Sequence, residues 1–293
     1  MHVAIHGKPF SLDDKPRLEY FFEKLKSCGF LPYLSEEFYG ICVYENLKGI
    51  DSVAVYQSKE ELKSVKYAFS FGGDGTLLDL LTHVAELEIP IVGINMGRLG
   101  FLATTSLAKI AEAVDSLCRK EYEIDNRILL QLESDQNIFN GENFALNDFA
   151  ILKRDTSSMI NVKVIIDGVY LNTYWADGII ISTPTGSTGY SLSCGGPLVL
   201  PQSNNFVITP VSPHNLNARP LIVSDHSEIS FEIEARSDNV LVSLDSRSMV
   251  VPTNVHIKVK KFKKSGKLVK FKDYNQFETM RNKLNWGIDY RNW

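Results

Sequence analysis

Apolar and polar positions alternate along this chain in two different textures. Over the first ~125 residues, short apolar runs are separated by segments whose apolar residues recur at spacings of three and four, the rhythm of a helix with one buried face. His2–His6, Ser52–Tyr56, Tyr67–Phe71 and Pro90–Ile94 predict strands. Lys15–Cys28, with Leu18, Phe21, Phe22 and Leu25 on one side, predicts a helix, as do Thr76–Leu87 and Leu107–Cys118. Strand, glycines, helix, repeated, predicts an α/β domain over 1–125, Rossmann-like and mostly parallel. Ligands of such a sheet sit at the carboxyl ends of its strands.

Beyond about Glu121 strand-like runs dominate. They are Arg127–Glu133, Asn143–Lys153, Val162–Ile166, Gly178–Thr183, Phe206–Val211, Glu228–Glu234, Val240–Leu244 and His256–Lys261. Asp167-Gly168 between two of them is a hairpin signal. This predicts a β-rich domain over 126–274. Helical spacing returns in Asn275–Leu284, so 275–293 is expected to pack back on the first domain.

Composition narrows the class without naming the chemistry. The 293 residues are 44% hydrophobic and 23% charged, with a formal charge of −4. A general nucleic-acid binder would usually be basic. No apolar run reaches the ~18 residues of a membrane helix, and the start lacks the pattern of a signal peptide. Cys28, Cys42, Cys118 and Cys194 are scattered, without the close spacings of a disulfide or metal framework. These features predict a cytoplasmic protein with no nucleic-acid or membrane partner. Eight of the 31 basic residues fall between Lys258 and Lys272, with no acidic residue among them. That stretch reads as a solvated hairpin around Ser265-Gly266, or else as a patch facing polyphosphate.

Three segments carry candidate chemistry. In Phe69–Leu77 a strand ends, Gly72, Gly73 and Gly75 surround Asp74, and Thr76 opens a helix. Glycines admit close approach to the backbone, and a helix N-terminus suits phosphate. No Lys-Ser/Thr follows, so this is not a Walker loop. Asp74 is either an N-cap or a group that binds metal or accepts a proton. In Trp175–Pro197 an apolar strand runs into a loop rich in hydroxyls and glycine, with Thr185, Ser187, Thr188 and Ser193 as uncharged donors and acceptors. Tyr190 offers a flat face to a base or ribose; a hydroxyl-rich turn is the alternative. In Phe144–Lys153 the alternation breaks at Asn147-Asp148, where Asn can pair with an adenine edge or ribose, or the chain merely bulges.

With these segments in order, the chain resembles bacterial-type NAD kinases. The resemblance is carried by Gly72–Thr76, Asn95–Phe101, Asn147-Asp148 and Asp177–Pro197. Ser212–Pro220 and Met280–Gly287 extend it, from about residue 66 to the end. The glycine–aspartate loop alone is shared with lipid kinases of the diacylglycerol and sphingosine type, one rival reading; a non-catalytic dinucleotide sensor is another. Two departures stand out: Gly189 where the family often has Ala, and Asp245-Ser246 where it often has Asp-Gly, a difference of turn rather than chemistry.

The resemblance implies transfer of the terminal phosphoryl group of ATP to the 2′-hydroxyl of the adenosine ribose of NAD. It implies Asp74 as general base beside that hydroxyl, and Gly72, Gly73, Gly75 and Thr76 as the cradle of the donor phosphates. Magnesium is expected to come with the nucleotide; no metal ligand is assigned. Asp74, Leu99, Phe101, Asn147, Asp148, Asp177, Thr185, Thr188, Gly189, Tyr190 and Ser193 are expected to bind NAD. Leu99 and Phe101 would form an apolar wall for adenine, and Asp177 would reach a dinucleotide held by a neighbouring subunit. That last role implies a homodimer or homotetramer.

Overall fold

The computed structural model describes residues 1–51, 53–97, 100–154, 158–272 and 274–285. Ser52, Arg98, Leu99 and Trp286-Gly287, to which the sequence assigned roles, lie outside the described residues. The chain forms two compact units, one of residues 1–125 and 267–293, the other of 126–266.

In the first unit, runs apolar on successive residues become strands buried on both faces, as parallel sheets require. Val3, Ala4 and Ile5 are fully buried in strand β1 (His2–Gly7). Then follow α1 (Lys15–Ser27), β2 (Leu31–Ser35), α2 (Glu36–Tyr44), β3 (Ala54–Tyr56), β4 (Val65–Gly72), α3 (Asp74–Val84), β5 (Ile91–Asn95), β6 (Thr105–Ser106) and α4 (Ile110–Arg119). Helix α1 buries the four expected residues, and Phe21 packs edge-on against Phe69 and Phe71 of β4. Helix α2 was not foreseen; Ser35 caps it by accepting from Phe38 N at 3.3 Å.

The strands lie in the order β5-β4-β1-β2-β3, all parallel. The sequence therefore runs outward in one direction from β1 and in the other from β4. Ligands of open parallel sheets bind at the carboxyl ends beside such a reversal. Gly72 ends β4 there, level with Asn95 of β5.

The second unit is built from antiparallel strands. After β7 (Tyr122–Ser134) come β8 (Phe144–Ala145), β9 (Asp148–Lys153), β10 (Ile160–Ile166), β11 (Val169–Ala176) and β12 (Gly178–Ser182). Short helix α5 (Tyr190–Ser193) precedes β13 (Asn205–Val211), β14 (Leu221–Ser224), β15 (Ile229–Glu234), β16 (Asn239–Leu244), β17 (Arg247–Pro252) and β18 (Ile257–Phe271). One sheet runs β14-β13-β12-β9-β16-β17; the unit's other strands include the run β11-β10-β15-β18. Phe149, Ile151, Ile179, Ile181, Phe206 and Val242 of the first share one core with Val162, Val164, Phe231 and Val259 of the second. Last comes α6 (Gln276–Leu284) of the first unit.

Three expectations are revised. The run Asn143–Lys153 is two strands, broken at Leu146-Asn147. The second unit ends at Gly266, not 274, because Leu268 pairs with Ile91 of β5. And Ser265-Gly266 is no hairpin: β18 runs through it as one strand. Four of its lysines are held by acids, Lys258 by Glu228 at 2.7 Å, Lys260 by Glu133, Lys261 by Asp225 at 2.5 Å and Lys267 by Glu88 at 3.5 Å. Pairing of both halves of β18 with strands outweighs the local turn signal. Among the described residues no helix is long and apolar enough to cross a membrane.

Candidate functional site

The glycine–aspartate loop of the first unit is a sharp exit from β4 into α3. Gly72 has φ +155°, and a Cβ there would lie 2.2 Å from Thr76 Oγ1. Only glycine lets the chain fold back this tightly. Gly73 is the N-cap of α3 and no side chain caps the helix. At both Gly73 and Gly75 the space a Cβ would enter is open. The first amides of α3 are thus approachable, as an anion site at a helix N-terminus needs. Thr76 is buried beneath them.

Asp74 is the first helical residue, not the cap. Its carboxylate turns to the segment after β5 and takes three successive backbone amides. Phe101 N donates to Oδ2 at 2.8 Å; Leu102 N and Ala103 N each donate to Oδ1 at 3.0 Å. A carboxylate has about four acceptor positions. Three are taken, both of Oδ1 and one of Oδ2, which leaves the open one on Oδ2. The clamp depends on Gly100, where a Cβ would lie 2.0 Å from Oδ1. Phe101 is half-buried, and Lys283 of α6 lies 5.9 Å from its ring centre.

The second unit gathers the other expected residues around the break between β8 and β9. Asp148 is 7% exposed. Burial, and then the charge of Asp245, push its carboxyl up to about 7. Asn147 is half-buried beside it, and its carbonyl accepts from Thr183 N at 2.8 Å. The hydroxyl-rich loop packs against this segment. Thr185 is buried, and its hydroxyl accepts from Arg127 Nη1 at 3.2 Å; Thr188 Oγ1 donates to Thr185 O at 3.2 Å. Gly189, Tyr190 and Ser193 are exposed. Burial, with the charges of Asp148 and Asp177 among lesser causes, holds the Tyr190 phenol above its ordinary value. At Gly189 a Cβ would meet Gly186 O at 3.3 Å and Asp148 Oδ2 at 3.8 Å, so the family's alanine fits with slight give. Asp177 pairs with Lys153 Nζ at 2.6 Å.

Each unit thus carries one cluster, and three contributors to them escaped the sequence reading. Gly100 lies inside the Asn95–Phe101 motif, but its reason is the position of Asp74. Thr183 opens the hydroxyl-rich loop and holds the Asn147 backbone. Asp245 reads in the sequence as a turn residue, yet its carboxylate accepts from Leu146 N at 2.9 Å, Asn147 N at 2.7 Å and Asp148 N at 3.2 Å. Burial raises this carboxyl above its ordinary value, against the pull of those amides and of Arg247.

Comparison with known proteins covers nearly the whole chain. Residues 21–122 match the ATP-NAD kinase N-terminal domain, and 146–271 the ATP-NAD kinase C-terminal domain. An NAD kinase of Cytophaga hutchinsonii is 49% identical over 292 residues, all of both chains. One of Flavobacterium psychrophilum is 41% identical over 295 residues, again all of both. Among solved structures, an NAD kinase from Archaeoglobus fulgidus in complex with ATP has a TM-score of 0.77 at 27% identity, covering 97% of this chain and 99% of its own. Yeast NADH kinase complexed with NADH has a TM-score of 0.87 at 22% identity, covering 99% and 89%, a likeness of fold.

Proposed function

This chain belongs to the NAD kinase family, and from that premise we propose how its residues share the reaction. The reaction moves the terminal phosphoryl group of ATP to the 2′-hydroxyl of the adenosine ribose of NAD, giving NADP. Full-length kinship to NAD kinases disfavours the lipid-kinase and sensor readings. Phosphoryl transfer needs an oriented nucleophile and neutralised phosphate charge more than covalent help from the protein. An alcohol attacks only if its proton has somewhere to go. Asp74 supplies that acceptor. Its clamped carboxylate with one open position on Oδ2 is the observation that carries the reading. The hydroxyl hydrogen-bonds to Oδ2, its oxygen attacks the terminal phosphorus of ATP in line as the bond from that phosphorus to the bridging oxygen breaks and ADP leaves, and the proton passes to Asp74.

The donor phosphates lie along Gly72, Gly73, Gly75 and Thr76, held by backbone amides. The described residues contain no group of three or more His, Cys, Asp or Glu that fits a metal. Magnesium is often held by phosphates with only one or two carboxylates; here it would come with the nucleotide as its counter-ion and would offset phosphate charge. Asn147 and Asp148 hold NAD, Asn147 nearest its adenosine part; Thr188, Gly189, Tyr190 and Ser193 line the pocket, with Thr185 beneath. Phe101 gives an apolar face, and Leu99 keeps the role its motif implies. Four free thiols accord with the cytoplasm.

Purified protein incubated with ATP and NAD is expected to yield NADP, read by an NADP-specific dehydrogenase. Labelled phosphate appearing on diacylglycerol and not on NAD would sink the assignment.

We place Asp177 at a dinucleotide bound by a neighbouring subunit, the active form being a dimer or tetramer. Its partly exposed pair with Lys153 contributes little to folding, since such pairs give ~0–1 kcal/mol. Asp177→Ala should therefore weaken NAD binding several-fold with an unchanged melting temperature. Unaltered affinity by calorimetry removes the cross-subunit role.

A further inference from the structure

We infer that Asp245 is a positioning residue of the dinucleotide pocket, fixing the backbone that presents Asn147 and Asp148. This rests on the reading that those two residues bind NAD. Leu146 and Asn147 lie between β8 and β9, outside any strand. Their amides and that of Asp148 all donate to the Asp245 carboxylate. In return Asp245 N donates to Asp148 O at 2.9 Å. The two carbonyls are taken from the other side: Thr183 Oγ1 donates to Leu146 O, and Thr183 N to Asn147 O. Arg247, two residues after Asp245, donates to Glu142 O at 2.6 Å and to Phe144 O. The tip of the β16–β17 hairpin and the start of the hydroxyl-rich loop therefore hold the 142–148 backbone between them.

The chemistry of the holder is specific. Three adjacent amides need an acceptor-only group with several lone pairs, which a carboxylate is and a carboxamide is not. Asp245 also stands at φ +51°, where Asp is tolerated better than most residues. The same carboxylate sets the charge state of its neighbour. Asp148 faces Asp245 from the hairpin, the Tyr190 phenol from α5 and the thiol of Cys194, the C-cap of α5. The phenol and the thiol titrate above their ordinary values, so near neutral pH the group that changes is Asp148, held at about 7 by burial and then by the charge of Asp245. Ionised Asp148 accepts hydrogen bonds from the ligand, so NAD affinity should rise as pH climbs through about 7.

The test is Asp245→Asn, which keeps the volume and removes the charge. KM for NAD should rise about tenfold or more, the size of effect an unsatisfied buried amide gives, with KM for ATP within about twofold. The rise of NAD affinity with pH should move to lower pH, because the negative neighbour that raises Asp148 is gone. A purely structural lesion would not move that profile. If Asp245→Asn fails to fold, Thr183→Val loosens the same segment from the opposite side and should raise KM for NAD in the same direction. Unchanged KM for NAD and an unshifted profile in a folded Asp245→Asn, or an unchanged KM in Thr183→Val where it is the variant used, overturn the inference. Asn147→Ala separates the two readings: unaltered KM for NAD there removes the pocket assignment itself. A raised KM there beside an unaltered one in Asp245→Asn removes only the role of Asp245.

Discussion

Asp74→Asn is expected to lower kcat at least about 10²-fold, the size usual for a lost general base, while NAD still binds. Two losses combine. Asparagine cannot take the proton of the 2′-hydroxyl. It also fits the clamp badly, since three amide donors now meet one oxygen and one amino group. Whichever way the carboxamide turns, at least one N–H of Phe101–Ala103 faces another donor. Steady-state turnover with an NADP-specific dehydrogenase gives kcat, and equilibrium dialysis gives the affinity for NAD. Near-normal turnover would refute the base assignment. Lost NAD binding with unchanged kcat at saturation would make Asp74 a binding residue only.

What the sequence could and could not disclose follows from where the information resides. Runs such as Val3–Ile5 and Phe69–Phe71 are apolar on consecutive residues, and burial on both faces of a parallel sheet demands that. Helix α2 buries only Phe38 and Cys42 along nine residues, too few for a clear period. The lysine stretch read as a turn because Ser265-Gly266 is a strong local signal. The acids that pair with four of the lysines, Glu228, Glu133, Asp225 and Glu88, are far away in sequence, as are the strands that keep β18 extended. At the site, the phosphate loop was legible because glycine and helix start have a sequence form. The clamp on Asp74 was not, because its donors are backbone amides, which every residue but proline carries. Asp245 acts on a segment 97 to 99 residues earlier, and only the pairing of β9 with β16 brings the two together.

Gly100→Ala, one methyl group on a residue that touches no substrate in this reading, should lower kcat on the order of 10²-fold. That is the size a displacement of about 1 Å at a reacting group carries. Gly100 is not at a positive φ, so alanine adds no backbone strain. The new methyl group instead lies 2.0 Å from Asp74 Oδ1 and 2.8 Å from its Cγ. Either the carboxylate leaves two of its three amides, or the 100–103 segment moves and carries the amides away. In both cases Oδ2 no longer points where it did. Turnover should fall more than affinity for NAD, because Asp74 loses its geometry while, of the pocket residues, only Phe101 can shift with the segment and those of the second unit are untouched. The decisive measurement is a double-mutant cycle. In an Asp74→Ala enzyme there is no carboxylate to displace, so adding Gly100→Ala should cost almost nothing further, the mark of two residues acting as one. Losses that simply add would show that Gly100 matters for the loop and not for Asp74. Full activity in Gly100→Ala alone would show that the clamp can relax, and that the geometry of Asp74 is not what sets the rate.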